Sequence, residues 1–217
     1  MKSTHHFHTN HAIEEYSSFR DAWDTPLFES PSFVAIPTVG ALIEGWLLIV
    51  PKIPCLSFAE LPKPLFCEFE TFLAEVAGAV NATFGSVSVF EHGPARPGNL
   101  IGCGVDYAHM HVLPAVCDLV QGAQSLAPAI QWRSVNSIAD IQQFAGSGSG
   151  YWFVKPNFNL DDCYIGTCDS VKPVSQLFRR IIANHLGKSH QFDWKLYSGE
   201  SIIAATVEKI SQHVIHI

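Results

Sequence analysis

Two histidines separated by a single residue, His109 and His111, lie in the largely apolar segment 107–114. Successive side chains of a β-strand point to opposite faces of the sheet, so this spacing places both imidazoles on one face. Tyr107 and Leu113 would share that face, and the apolar residues between them would enter the core. The segment therefore predicts a strand that presents two imidazoles to one pocket.

Paired imidazoles suit several kinds of chemistry. A neutral imidazole is a nucleophile and a proton carrier near neutral pH, and it also binds metals. To attack phosphorus, His109 needs a hydrogen bond that fixes its tautomer and donors for the charge that builds on the phosphoryl oxygens. Backbone amides near Gly102, Cys103 and Gly104 could supply those donors, because glycine lets the backbone approach a phosphate closely. By spacing alone, His109 and His111 are more typical of ordinary strand histidines, exposed or with satisfied hydrogen bonds.

Composition limits the partners of this chain. Its 217 residues suffice for one domain with a continuous core, and only 15% of them are charged, against about 25% in typical soluble proteins. We therefore expect a buried subunit interface and a homodimer. The net charge of -7 disfavours a nucleic-acid partner held by a broad basic surface. The six cysteines form no CxxC pair, and no apolar run is long enough to cross a bilayer, which predicts a cytoplasmic protein with reduced thiols and no membrane partner.

The first half of the chain predicts a hairpin, a helix and further strands. Residues 1–26 lack hydrophobic periodicity and are interpreted as an N-terminal extension to a domain over 27–217. Two apolar segments interrupted by Pro37, Gly40 and Gly45 indicate the hairpin, and apolar residues at three- and four-residue intervals indicate the helix. The predicted elements are strands over 32–37, 45–51 and 87–90 and a helix over 64–84.

The second half predicts more sheet and several helices. The glycine and serine run at 146–150 is interpreted as a loop within the domain rather than a hinge, because the elements after it are too small to fold alone. Those elements and their neighbours are strands over 130–135 and 151–154 and helices over 137–144, 174–186 and 201–215. The whole is predicted to be an α+β domain with a mainly antiparallel sheet, a core over 28–115 and a C-terminal extension over 116–217.

Several motifs together resemble the histidine triad superfamily, whose signature is His-φ-His-φ-His-φ-φ with φ apolar. The resemblance covers residues 28–115 and implies a HIT-like fold. It makes His109 the middle histidine, which becomes nucleotidylated in that family, and His111 the third, whereas Tyr107 stands where the first histidine is expected. The matching segments are Glu91-His92-Gly93-Pro94, Gly102-Cys103 and Tyr107-Ala108-His109-Met110-His111-Val112-Leu113-Pro114.

One branch of that superfamily, the galactose-1-phosphate uridylyltransferases, is also similar at Phe90-Glu91 and at Gly102-Cys103. That branch has glutamine where this chain has His111. The resemblance therefore favours the nucleotide hydrolases and the dinucleoside polyphosphate enzymes.

The resemblance implies a hydrolase or transferase that acts through a covalent nucleotidyl-His109 intermediate. His111 would hold a non-bridging phosphoryl oxygen and Tyr107 would orient the site. The partner would be a nucleotide, and no cofactor or metal is required, although Mg²⁺ could arrive with the substrate. The residues predicted to contact the nucleotide are Glu91, Gly93, Asn99, Gly102, Cys103 and Gly104.

Two other functions remain open from the sequence. One is a catalytically silent module that binds nucleotides but has lost turnover with the first histidine. The other is a metal-dependent protein in which Asp118 or Glu91 joins His109 and His111 as a third ligand. A tandem pair farther along, Arg179 and Arg180, is expected on an exposed helix face.

Overall fold

One eight-stranded sheet organises the computed structural model, which describes residues 26–102, 105–168 and 174–215. Every neighbouring pair of strands is antiparallel, in the order β1-β2-β3-β5-β4-β7-β8-β6. The predicted α+β class with a mainly antiparallel sheet is confirmed. The strands are β1 (Phe28–Glu29), β2 (Phe33–Pro37), β3 (Leu47–Pro51), β4 (Val87–Gly93), β5 (Met110–Pro114), β6 (Gln131–Val135), β7 (Tyr151–Lys155) and β8 (Cys163–Thr167).

Helix α1 (Lys63–Phe84) covers one face of the sheet. Pro64 fits its first turn, where the backbone N–H groups have no partner within the helix. The helix ends at Gly85, which has a φ of 90° and donates its N–H to the Asn81 carbonyl. The buried side of the helix packs on alternate residues of β3, β4 and β5, including Val89 and Met110, and this forms the larger core.

Helices α2 (Leu119–Leu126) and α3 (Leu177–His185) accompany a second apolar cluster on the opposite face. The two helices pack against each other. Phe178 of α3 also contacts Phe90 of β4, with ring centroids 4.7 Å apart. A fourth helix, α4 (Glu200–Ile215), packs against α1 and β2. The histidine-bearing strand thus lies between two layers of helices.

Strand β4 joins the two predicted parts of the chain. It pairs with β5 on one side and with β7 on the other, and all seven of its residues are buried. Strands β6, β7 and β8 come from the segment 116–217 that the sequence assigned to an extension, yet they continue the same sheet. The run 146–150 leads directly into β7, so it is a loop between elements of one sheet.

Some elements were missed or typed differently from the sequence. Strands β1 and β8 and helix α2 were not predicted, and the helix expected at 137–144 is a 3₁₀ helix, Ile138–Phe144. Helix α2 begins at a polar cap, because the Asp118 side chain accepts the Gln121 N–H. Short strands and helices of only two or so turns give weak periodic signals. In the described part of the chain, no helix combines the length and the apolarity needed to cross a membrane.

Candidate nucleophile site

His109 and His111 lie on the same face of the sheet, with ring centroids 4.9 Å apart. His111 is the second residue of β5, opposite Leu48 of β3 and Phe90 of β4, and His109 immediately precedes the strand. The exposed fractions of the two histidines are 9% for His109 and 5% for His111. The two-residue spacing therefore produces a close imidazole pair, and the covering helices bury most of it.

The tautomer of His109 follows from its contact with the backbone. Its Nδ1 lies 2.8 Å from the carbonyl oxygen of Tyr107, and a carbonyl can only accept, so we assign the proton to Nδ1. The lone pair of the neutral ring is then on Nε2. Burial lowers the pKa of His109, while the Tyr107 carbonyl opposes that shift. The ring is therefore neutral at pH 7, with Nε2 as its basic and nucleophilic atom.

His111 has the opposite tautomer. The indole Nε1–H of Trp46 donates to Nδ1 of His111 over 3.0 Å, so that nitrogen carries no proton. Burial lowers the pKa of His111 well below its ordinary value, and His109, His92 and Arg179 lower it further. In the neutral ring the proton is then on Nε2. The pair combines a nucleophilic nitrogen on His109 with an N–H donor on His111.

Aromatic rings enclose the imidazole pair. Phe90 stacks on His111 with centroids 4.2 Å apart and an interplanar angle of 19°. His92, two residues farther along β4, stacks on Phe178 at 4.8 Å and has its centroid 6.1 Å from that of His111. Burial lowers the pKa of His92 to about 3, and His109 and Arg179 contribute to the shift. This side of the site is a buried aromatic wall.

Arg179 brings a buried positive charge to this face. It is only 4% exposed, and its guanidinium carbon lies 5.1 Å from the centre of the Trp46 ring. Its Nε donates to the Phe192 carbonyl over 2.8 Å, and its Nη2 donates to the Gly40 carbonyl. The expectation of an exposed helix face is therefore wrong for Arg179, because α3 turns this residue toward the sheet. Arg180 is half-buried.

Tyr107 contributes to the site through its main chain. Its carbonyl orients His109, whereas its hydroxyl donates to the Pro51 carbonyl over 3.0 Å. Burial raises the pKa of the phenol, and Cys55 adds to that shift. A backbone carbonyl is present whatever the side chain. The orientation of His109 thus does not depend on a histidine at position 107.

Glu91 is not brought together with the histidines. Alternation along β4 sends Phe90 and His92 to the histidine face and Glu91 to the α1 face, where it is 1% exposed. Both of its carboxylate oxygens accept hydrogen bonds there, from the Phe58 N–H and from the Tyr151 hydroxyl. The sequence prediction that Glu91 contacts nucleotide therefore disagrees with its position in the structure.

The other predicted binding residues have local roles or lie outside the described residues. Asn99 accepts the Ile101 N–H over 3.0 Å and so stabilises the loop before the 3₁₀ helix Leu100–Gly102, which Gly102 ends. Cys103 and Gly104 lie outside the described residues. Gly93 pairs with Tyr151 across the sheet, and a Cβ on it would be 2.2 Å from the tyrosine ring. We conclude that Gly93 is needed for packing.

Substituting Gly93 with alanine tests that packing role. We expect Gly93→Ala to lower the free energy of unfolding by about 1–3 kcal/mol, because the Tyr151 ring must move out of a packed core. Urea unfolding at pH 7 measures the change. Gly78→Ala is the matched control, since Gly78 is exposed on α1 and no atom lies within 4 Å of the added Cβ. A Gly93→Ala protein as stable as the parent would contradict the assignment.

The third metal ligands considered from the sequence are not near the imidazole pair. Glu91 lies on the opposite face, and Asp118 caps α2. Among the residues that the structure describes, no three His, Cys, Asp or Glu side chains form a group that could hold one metal ion. The site as described is an imidazole pair with aromatic and cationic neighbours.

Four contributors were not identified from the sequence as site residues: Trp46, His92, Phe178 and Arg179. One of them, His92, carried a usable signal. Residues 90 and 92 alternate with 89 and 91, and pairing β4 beside β5 puts His92 on one of the two faces. No comparable signal marked Phe178 and Arg179, because α3 is distant in sequence from β5.

The sequence matches no protein-family model and no curated protein. Among solved structures it is similar to a Hit-like protein involved in cell-cycle regulation from Bartonella henselae, solved with an unknown ligand. The identity is 17% and the TM-score 0.36, over 42% of this chain and 68% of the other. The function proposed below follows instead from the site geometry and the sequence motifs.

Proposed function

We propose that this chain is a HIT-like nucleotidyl hydrolase or transferase that forms a covalent nucleotidyl-His109 intermediate. The observation that carries the proposal is the hydrogen bond between Nδ1 of His109 and the Tyr107 carbonyl. It leaves the lone pair on Nε2, as nucleophilic attack on phosphorus requires. The substrate would be a nucleotide phosphate ester, anhydride or phosphoramidate.

The first step is attack by Nε2 of His109 on the α-phosphorus. A nitrogen–phosphorus bond forms, the bond from phosphorus to the leaving group breaks, and the leaving group departs with the electron pair and takes a proton from solvent. His109 becomes positively charged and keeps its Nδ1–H on the Tyr107 carbonyl, which stabilises that charge. The N–H donor of His111 holds a non-bridging oxygen as negative charge builds on it.

The second step returns the enzyme to its starting state. Water, or another acceptor in a transferase, attacks phosphorus while the bond to Nε2 breaks, and the attacking oxygen releases its proton to solvent. His109 leaves as the neutral ring that burial favours. The buried Arg179 cation adds positive potential on the face where phosphate charge would collect.

Tyrosine at position 107, where the histidine triad signature has its first histidine, is compatible with this chemistry. The contact that selects the tautomer of His109 comes from the main chain of Tyr107, and Trp46 supplies the contact that selects the tautomer of His111. Neither contact involves a first histidine. Both supports of the nucleophile pair therefore remain when tyrosine occupies that position.

Trapping the intermediate tests the proposal. We expect protein incubated with adenosine phosphoramidate, a diadenosine polyphosphate or a nucleotide sugar, each labelled at the α-phosphate, to retain label after an alkaline quench and lose it in acid. Peptide mapping would place the label on His109. Consumption of the nucleotide with no label on the protein in a rapid quench would overturn the covalent mechanism.

A catalytically silent nucleotide-binding protein is the second candidate, and the low exposure of His109 and His111 favours it. Calorimetric titration with a mononucleotide separates the two candidates. Binding with neither turnover nor a trapped adduct would support the silent module.

A further inference from the structure

A buried carboxylate lies on the face of the sheet opposite the imidazole pair. Glu91 accepts the Phe58 N–H over 2.7 Å at Oε1 and the Tyr151 hydroxyl over 2.6 Å at Oε2. The oxygen of Tyr151 in turn accepts hydrogen bonds from the Ser57 side chain and the Ala59 backbone. Because that oxygen already accepts two bonds, its own proton must go to Glu91. The network therefore needs acceptor oxygens at both positions of the carboxylate.

This network ends on the segment that also supports His109. Residues 52–58, here called the anchor segment, run from the end of β3 to Phe58. The Cys55 carbonyl in this segment accepts the Ala108 N–H over 2.8 Å. Ala108 lies between the Tyr107 carbonyl and the His109 ring that the carbonyl orients. A shift of the anchor segment would thus move the main-chain acceptor that fixes the tautomer of His109.

We propose that Glu91 is a positioning residue, which holds His109 in its nucleophilic orientation through the anchor segment and without contacting substrate. The proposal rests on the function proposed above. The path from Glu91 to His109 has three parts: the hydrogen bond from the Phe58 N–H to Glu91, the backbone of the anchor segment from Phe58 to Cys55, and the hydrogen bond from the Ala108 N–H to the Cys55 carbonyl.

The charge on Glu91 makes this positioning depend on pH. Burial raises the pKa of Glu91 to about 7, the bonds from Tyr151 and Phe58 oppose that shift, and Glu60 adds to it. The titratable groups that face the carboxylate are Glu60 and Cys55 beside the anchor segment and Tyr151 on β7. Protonation removes one acceptor from the network. Positioning is therefore expected to weaken as the pH falls through about 7.

The first test reads the His109 ring directly and needs no substrate. In protein labelled with ¹⁵N at the histidine rings, the wild type at pH 8 is expected to show the single Nδ1-protonated tautomer at His109. Glu91→Ala removes both acceptors and is expected to give a mixture of tautomers. Glu91→Gln keeps an acceptor for Phe58 but places an N–H₂ group against the Tyr151 hydroxyl. At every pH, its His109 signals should therefore resemble those that the wild type shows at low pH.

The control is Val89→Ala, a core truncation on the same face of β4, at a residue that pairs with Val112 and Lys155 and accepts or donates no side-chain hydrogen bond. It is expected to lower stability and leave the His109 signals unchanged. Should the Glu91→Ala protein fail to fold, Glu91→Gln carries the comparison. Ring signals in the Glu91 variants that match those in Val89→Ala would overturn the proposal.

The second test reads catalysis. Glu91→Ala is expected to lower kcat by about 100-fold with little change in KM, because a misdirected nucleophile affects the chemical step more than binding. The acid limb near pH 7 in the kcat profile should be absent in Glu91→Gln. A change in the His109 signals in a protein that turns over no nucleotide would reject the proposed function and leave the coupling intact.

Discussion

Replacing His109 with alanine is expected to lower turnover by at least about 1000-fold, since the nucleophile of a covalent mechanism has no substitute in the site. The substitution removes the Nε2 lone pair that the Tyr107 carbonyl directs. Single-turnover rates on a panel of adenosine phosphoramidate, diadenosine polyphosphates and nucleotide sugars measure the loss. His190→Ala, at an exposed histidine, is the control. Equal rates for the wild type and His109→Ala would remove His109 from the mechanism.

The neighbouring histidine is expected to have a smaller effect of a different kind. His111→Ala removes the donor that we propose for the phosphoryl oxygen, and such a loss typically lowers kcat by about 100- to 1000-fold. Trp46→Phe leaves the imidazole in place but removes the N–H that fixes its tautomer. Its kcat should lie between those of the wild type and His111→Ala. A Trp46→Phe protein as slow as His111→Ala would show that the indole does more than select the tautomer.

Acid is expected to destabilise the fold through His92. The unfolded chain protonates this histidine below its ordinary pKa of about 6.5, whereas the folded chain keeps it neutral until about pH 3. Between these two pH values the unfolded state binds more protons than the folded state. The free energy of unfolding therefore decreases as the pH is lowered through this window. From pH 7 to pH 5 the contribution of His92 is about 2 kcal/mol at 1.36 kcal/mol per pH unit.

Other buried groups also change the free energy of unfolding between pH 7 and pH 5. The prediction therefore compares the pH dependence of a His92 variant with that of the wild type. His111 and His109 contribute with the sign of His92, because their pKa values are also lowered. Glu91 has the opposite sign, since a raised carboxyl pKa favours the folded state as the pH falls toward 5.

His92→Phe keeps an aromatic ring against Phe178 and removes the titration. Urea unfolding at pH 7 and pH 5 should show that its loss of stability is smaller than that of the wild type by about 2 kcal/mol. His190→Phe, the same substitution at an exposed histidine, is the control. The same pH dependence in His92→Phe and in the wild type would contradict the buried, neutral state of His92.

The periodicity and spacing of apolar residues in the sequence were enough to predict the local features of the fold. The apolar spacing over 64–84 gave helix α1, and the hairpin of β2 and β3 followed from apolar runs punctuated by glycine and proline. The alternation around His109 gave the shared face of the imidazole pair. These features depend on residues close together in the chain, whose geometry is fixed by helix and strand periodicity.

Long-range packing decided the rest. Arg179 is polar and lies on a helix, a pattern typical of an exposed residue, but two backbone carbonyls make a buried guanidinium acceptable. Glu91 has an equally polar side chain, and a tyrosine sixty residues away provides its partner. The tautomers of the two histidines depended on Trp46 and on a main-chain carbonyl. Trp46 and the partners of Arg179 and Glu91 are distant in the chain, and the Tyr107 carbonyl, although only two residues from His109, leaves no mark in the residue spacing.

The junction of β4 with β7 has a consequence for transplanting this site into another scaffold. A fragment ending at residue 115 would keep both imidazoles but lose β7, and one edge of β4 would be left with unpaired backbone groups. It would also lose Phe178 and Arg179, so water would reach His92 and His111. Those rings would then become charged in mildly acidic solution. The histidine motif therefore cannot be transplanted alone, since the neutral state of its imidazoles depends on the whole sheet and the helix packed on it.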